Sequence, residues 1–344
     1  MKYKLLGSSG LRVSEICLGT MTFGDKWGYG ADKEGSEAQY NTFREAGGNF
    51  IDTANRYTDG ESENFLGDLI APHRHDVVLA SKYTLRSGPA GNINDGGNSR
   101  KNMMQSIEGS LKRLKTDYLD LFYLHAWDFT TSSEEVLRGM QDLISQGKVL
   151  YAAISDTPAW VVSRANTIAE LRGWSKFIGL QIEYSLIQRT PERDLIPMAQ
   201  AMNIGVTAWG PIAGGALSGK YLNETDSPKR LKEGSIRLNE RSAAIAREVV
   251  AVAEEAGCSP VHVALNWLRQ QQAQVIPIVG ARNAEQLRSS LESVNHSLSP
   301  EHIARLSEVS KIELGFPHDF LQQPGVTEIV YGGKKPDFEF QLRS

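Results

Sequence analysis

Four residues in the first half of the chain have side chains suited to moving a proton: Asp52, Tyr57, Lys82 and His125. Asp52 and Tyr57 fall in one stretch, Phe50-Ile51-Asp52-Thr53-Ala54-Asn55-Arg56-Tyr57, which begins as an apolar run and leaves it as a loop. A free phenol has a pKa of about 10 and is a poor acid at neutral pH, so it needs a cation beside it to stabilise the phenolate. Lys82 closes the apolar run Val-Val-Leu-Ala-Ser and supplies that cation. A lysine ending a buried strand needs a counter-charge, and Asp52 ends the neighbouring strand. Lys82 is therefore expected to remain charged and to lower the Tyr57 pKa. His125, after Leu-Asp-Leu-Phe-Tyr-Leu, would orient a carbonyl oxygen or share in the transfer. Such a set protonates a carbonyl oxygen as hydride reaches its carbon. Taken singly, each has a plainer explanation as surface charge, loop packing or satisfied core residue. Four on three consecutive strand ends favour a catalytic set.

The elements that must position them alternate regularly. A hairpin is predicted over 3–14, turning at Gly7-Ser8-Ser9-Gly10. Strands are predicted at 15–21, 50–54, 77–82, 119–125, 149–155, 177–184, 205–209 and 275–279. Helices are predicted at 35–46, 61–70, 99–114, 133–146, 158–171 (Thr157 as N-cap), 192–202, 241–256, 259–272, 284–291 and 299–311. The strands are nearly continuous apolar runs, as in a parallel sheet covered on both faces. Eight strand–helix repeats predict an α/β fold, a (β/α)8 TIM barrel with an N-terminal hairpin, extra helices and a C-terminal tail. One domain spans 1–344, with its core at about 15–311 and a weakly periodic tail at 312–344 wrapping the body. Barrel chemistry sits at the carboxyl ends of the strands, where all four residues fall.

Composition narrows the functional classes. A chain of 344 residues with net charge −4 and no dense basic run gives no support for a nucleic-acid partner. Neither an export signal nor an apolar run of transmembrane length is read from the sequence, so the expected compartment is cytoplasmic. Its two cysteines, Cys17 and Cys258, read as buried thiols rather than a disulfide. The sequons at Asn223 and Asn295 then read as chance matches. No G-x-G-x-x-G follows a strand, which argues against an open dinucleotide-binding sheet. The run 214–220 half-matches a phosphate-binding P-loop, but Tyr221 stands where Ser or Thr is needed. After the eighth strand, Gly280, Arg282 and Gln286 open a helix, a usual place for phosphate in barrels. Arg282 there would favour a ribose 2′-phosphate.

In sequence order, GLRVSEICLGTMTFG, NFIDTANRY, VVLASKY, SLKRLKTDYLDLFYLH, LISQGKVLYAAIS, IGLQIEYSLIQR, GVTAWGPIAGGALSGKY and IPIVGARNAEQLRSSL resemble the aldo-keto reductases. These are NAD(P)H-dependent oxidoreductases on a (β/α)8 barrel. The resemblance covers residues 10 to about 291 and implies that Asp52, Tyr57, Lys82 and His125 are a catalytic tetrad, with Tyr57 as general acid/base. It places Gly19, Thr20, Met21 and Asp52 beside the nicotinamide and its ribose, and Ser155, Asp156 and Gln181 on the carboxamide. Trp209 would stack on the ring. Gly210, Pro211, Ile212, Gly214, Gly215 and Lys220 would cover the pyrophosphate, and Ser290 would lie toward the adenine. The implied cofactor is NADP(H), preferred over NAD(H), with no metal.

Two positions depart from the family pattern: Asp156 replaces a usual Asn, and Ser289-Ser290 replaces the Asn near the end of the phosphate helix. The run ISDTPAWVVSRAN resembles the aryl-alcohol dehydrogenase branch and suggests aromatic aldehydes or their alcohols as substrates. Phe23, Trp27, Tyr83, Trp127 and Phe129 would wall an apolar pocket. The expected partner is a small-molecule carbonyl substrate, with no nucleic acid and no membrane; a homo-oligomer is left open. The other class left open is a nucleotide-binding regulatory subunit resembling potassium-channel β subunits.

Overall fold

The computed structural model describes residues 1–88, 91–222, 230–232 and 234–337. The loop at 212–240 and the tail are thus described in part, and Asn223 and residues 338–344 lie outside the described residues.

A two-stranded antiparallel hairpin, β1 (Tyr3–Leu5) and β2 (Arg12–Ser14), precedes a closed barrel of eight parallel strands. These are β3 (Cys17–Gly19), β4 (Phe50–Asp52), β5 (Val78–Tyr83), β6 (Leu119–Leu124), β7 (Val149–Ser155), β8 (Phe177–Glu183), β9 (Gly205–Trp209) and β10 (Val275–Val279). Each pairs with its sequence neighbour, and β10 closes on β3 through Ile278 and Cys17. The helices α1 (Lys33–Glu45), α2 (Glu61–Ile70), α3 (Arg100–Leu114), α4 (Ser133–Ser145), α5 (Ala159–Arg172), α6 (Leu195–Ala201) and α7 (Glu240–Glu255) follow β3 to β9 in turn. Next come α8 (Pro260–Arg269), α9 (Ala284–Leu291) and α10 (Pro300–Val309). This is the predicted (β/α)8 barrel.

Side-chain alternation sorts each strand. Tyr83, Phe122, Ile154 and Leu180 face the helices, while Cys17, Val78, Ala80, Leu121, Tyr123, Ala153, Ile276 and Ile278 form a second cluster inside the barrel. Tyr123 Oη lies 3.3 Å from Thr207 Oγ1 on a non-neighbouring strand, so that bond crosses the lumen. Leu6 and Val13 of the hairpin pack on the same inner cluster and floor the barrel. Gln274 helps fix them there, accepting from the Gly7 N–H at 3.0 Å.

Local differences from the predicted elements have identifiable causes. Pro158, not Thr157, sits at the N-cap of α5, because the Thr157 hydroxyl donates to Ser155 O at 2.7 Å. The helix predicted at 192–202 is split into a 3-10 turn, Thr190–Arg193, and α6, broken at Asp194 (φ −146°). The tail contains two short helices, α11 (His318–Leu321) and α12 (Pro324–Val330), neither with a buried residue. Its described residues therefore lie at the surface and add nothing to the core.

Candidate functional site

Following the inward positions of each strand to its carboxyl end gives a polar layer above the apolar lumen. Val78 and Ala80 lead to Lys82, Leu121 and Tyr123 to His125, and Ala153 to Ser155. By the same two-residue step, Cys17 leads to Gly19, Phe50 to Asp52 and Ile278 to Gly280.

At the centre is Lys82, whose ammonium is fully buried and has three acceptors for its three N–H donors. They are Asp52 Oδ2 at 2.6 Å, Thr53 O at 2.8 Å and Tyr57 Oη at 3.0 Å. Burial works against the charge, but Asp52 and Tyr57 overcome it, and the Lys82 pKa is raised. The second oxygen of Asp52 accepts from Gln181 Nε2 at 2.9 Å, a bond from β8 to β4 across the lumen. Because Tyr57 Oη accepts from Lys82, its own hydrogen is available to another acceptor.

The net shift of Tyr57 is opposite to the sequence expectation. Lys82 pulls its pKa down, but burial pushes it up more strongly, and Asp52 adds to burial. The phenol is therefore held protonated through neutral pH. His125 meets Tyr57 edge-on, with ring centroids 6.0 Å apart. Burial, and then the Lys82 charge, push its pKa well below the ordinary value, so the ring is neutral. Neutral His125 can donate or accept a hydrogen bond but is no imidazolium acid at pH 7.

The turn that presents Tyr57 is strained. Thr58 (φ 47°) and Asp59 (φ 55°) are both left-handed, costing of order 1–3 kcal/mol each. Thr58 is held there by its hydroxyl, which donates to Phe23 O at 2.7 Å. Asp59 is held by an ion pair with Arg56 and by Trp27 Nε1 at 3.3 Å.

The remaining predicted residues fall into distinct groups. Thr20 is buried, its hydroxyl bound to Asp52 O at 2.9 Å, so the side chain ties β3 to β4. Met21 is half-buried beside it. Ser155 pairs in register with Gln181, and its buried Oγ has no protein partner; the same is true of His125 Nδ1. Asp156 (φ 40°) accepts from Trp209 Nε1 at 3.1 Å. Burial raises its pKa, with Trp209 and Lys82 pulling the other way.

Gly210, Pro211 and Ile212 leave β9 into a turn where Gly214 (φ 68°) and Gly215 (φ 95°) are left-handed. A Cβ on Gly215 would meet Lys220 Cε at 2.9 Å. Gly280 abuts Gly19. Arg282 is exposed at the start of α9 and its N–H reaches Gln286 Oε1 at 3.3 Å, while Ser290 Oγ donates to Gln286 O at 2.9 Å.

The aromatic pocket needs correction. Phe23 and Tyr83 are fully buried and wall no open space. Lys82 points into the barrel, so Tyr83, the next residue, must point out; it stacks on Phe122 at 5.3 Å. Phe23 belongs to the main core cluster. Trp27 and Trp127 remain half-buried at the loops and Phe129 is exposed.

Sequence reasoning missed three features. Gln181 binds Asp52 across the lumen. Arg237 pairs with Glu183 and covers the Trp209 ring at 5.9 Å. Asn98 Nδ2 donates to Ala126 O at 2.9 Å and steadies the loop after β6. All three are long-range contacts, joining residues far apart in the sequence.

With these geometries in hand, the chain belongs to the aldo/keto reductase family, whose model matches residues 15–311, and is an oxidoreductase of that class. It is 39% identical over 339 residues to an NADP(+) aryl-alcohol dehydrogenase of Phanerodontia chrysosporium, covering 92% of this chain and 87% of that protein. It is 36% identical to a norsolorinic acid reductase of Aspergillus flavus (92% and 83%) and 36% identical to an aryl-alcohol dehydrogenase of Pestalotiopsis microspora (93% and 85%). No described helix is long and apolar enough to cross a membrane.

Proposed function

We propose that this protein is an NADP(H)-dependent reductase of aldehydes or ketones, aromatic aldehydes foremost, with Tyr57 as the proton donor. The observation that carries the reading is the Lys82 ammonium, which spends its three donors on Asp52, Thr53 O and Tyr57 Oη.

The residues present suit a nicotinamide dinucleotide. The unpartnered Ser155 Oγ and the rim carboxylate Asp156 are apt for its carboxamide. Trp209 offers a ring face, and Lys220, packed on Gly215 in the left-handed Gly214-Gly215 turn, would bring a cation to a pyrophosphate. Arg282 and Gln286 would hold the 2′-phosphate. The nicotinamide, when bound, supplies hydride to the carbonyl carbon.

The chain's own residues do the rest. Neutral His125 donates a hydrogen bond to the carbonyl oxygen and fixes its position. Tyr57, its oxygen already accepting from Lys82, aims its hydrogen at the same oxygen and gives it up as negative charge develops there. Lys82 stabilises the resulting phenolate, Asp52 keeps Lys82 charged, and solvent returns the proton to Tyr57. Asp52 and Gln181 position Lys82 and take no proton. Trp27 and Trp127 are the half-buried aromatics suited to an aryl substrate. In this reading the whole chain acts as one catalytic domain.

Tyr57→Phe tests the reading. Aldehyde reduction should fall about 10²- to 10⁴-fold while NADPH still binds by fluorescence titration. Undiminished turnover overturns the assignment of the proton donor. A panel of aromatic aldehydes assayed with NADPH and NADH in parallel establishes the substrate class and the preferred nucleotide.

A further inference from the structure

We propose that Cys258, His262 and His296 form a binding site for a thiophilic divalent cation, Zn²⁺ foremost, on the outside of the barrel. Cys258 lies in the turn between α7 and α8, His262 in the first turn of α8, and His296 just after the 3-10 turn Glu292–Asn295 that follows α9. The thiol sulfur and one ring nitrogen from each histidine all lie within 4.8 Å of one another.

His262 supplies the independent sign of a ligand. Its Nε2 sits 2.6 Å from Ser289 O, an acceptor only, so Nε2 bears the hydrogen and Nδ1 is left with a lone pair. That Nδ1 is buried with no partner, on a residue only 5% exposed. Buried polar atoms are nearly always satisfied, so an unsatisfied one on a histidine of a Cys/His cluster calls for an occupant. The pairing also matches a metal-binding histidine, one nitrogen left with a free lone pair and the other N–H held by a backbone carbonyl. The His296 ring stacks on His262 with centroids 4.9 Å apart, which keeps it at the cluster.

The donor set selects the ion. One thiolate and two imidazoles suit Zn²⁺ and exclude Mg²⁺ and Ca²⁺, which want oxygen. Tetrahedral Zn²⁺, with bonds of about 2.0–2.3 Å, places its ligand atoms about 3.5 Å apart. Closing from 4.8 Å requires side-chain movement of about 1 Å. Cys258 and His296 are only partly buried, so rotamer changes can make it and solvent can fill a fourth position. As the Zn–S bond forms, the thiol proton passes to solvent. The ion would tie the α7–α8 turn to the segment after α9, away from Tyr57 and Lys82, and takes no part in hydride transfer.

Untagged, metal-stripped protein titrated with Co²⁺ tests the site. One Co²⁺ per chain should bind with thiolate-to-cobalt absorption and tetrahedral visible bands, be displaced by one Zn²⁺, and raise Tm. His262 is buried and its replacement risks the fold, so the partly exposed ligands carry the test. Cys258→Ser and His296→Gln should each remove the thiolate band or weaken binding on the order of 100-fold. Aldehyde reduction and metal-free Tm should be unchanged in both. Absence of thiolate absorption in the wild type, or undiminished binding in the double variant, overturns the proposal.

Discussion

Two carboxylates stand at the barrel mouth under opposite conditions. Asp52, at the end of β4, is 3% exposed and has both oxygens engaged, one by Lys82 and one by Gln181. Asp156, just past β7, is open to solvent and bonds one indole N–H from Trp209. Its carboxyl nevertheless lies among enough protein to lose hydration, and its pKa rises. A charge inside the lumen must arrive with its partners, so Asp52 is fixed before any ligand binds. A charge at the rim can hold an oxygen in reserve. The inner acid is therefore committed to the site's own frame, and the outer acid keeps bonding capacity at its rim.

The largest expected effect breaks the inner arrangement. Lys82→Met leaves Asp52 buried without its cation, and chemical denaturation should show a loss of about 3–5 kcal/mol. Adding Asp52→Asn should restore part of that stability while turnover stays lost. A lone Lys82→Met as stable as the wild type would dissolve the distinction between the two acids.

Next in size is the outer rim. Arg282→Ala should weaken NADPH about 10- to 100-fold, the worth of a lost charge-assisted bond, and leave NADH unaffected. Equal losses for both nucleotides would remove Arg282 from the 2′-phosphate.

The pH dependence reads the balance inside the lumen. With the Tyr57 pKa raised above 10, its acid form persists through neutral pH and is lost only as pH climbs through the raised value. Carbonyl reduction should stay level from about pH 6 to 9, whereas alcohol oxidation, which needs the phenolate, should rise by up to about tenfold per unit. A reduction rate already falling over that range would mean that Lys82 outweighs burial. The smallest effect belongs to Asp156→Asn. Asn tolerates the left-handed backbone equally, so stability should move by less than about 0.5 kcal/mol and NADPH affinity by less than about tenfold.

The barrel was legible because strands buried on both faces must be apolar throughout. Runs such as 149–155, 205–209 and 275–279 therefore coincide with β7, β9 and β10. Lys82 and Asp52 were legible for the complementary reason, as polar residues ending such runs. Tyr83 was misread although its outward direction followed from Lys82 pointing in. The direction of the Tyr57 shift was not legible: the partner can be named from sequence, but how much water the fold removes cannot. Gln181 on Asp52 and Arg237 over Trp209 join residues 129 and 28 positions apart, and no local pattern announces them.

The hairpin floor has a kinetic consequence. With Leu6 and Val13 plugging the amino end, the barrel is a room with one door. Whatever lies deepest must enter first and leave last. Two reactants sharing that door would have to queue rather than mingle.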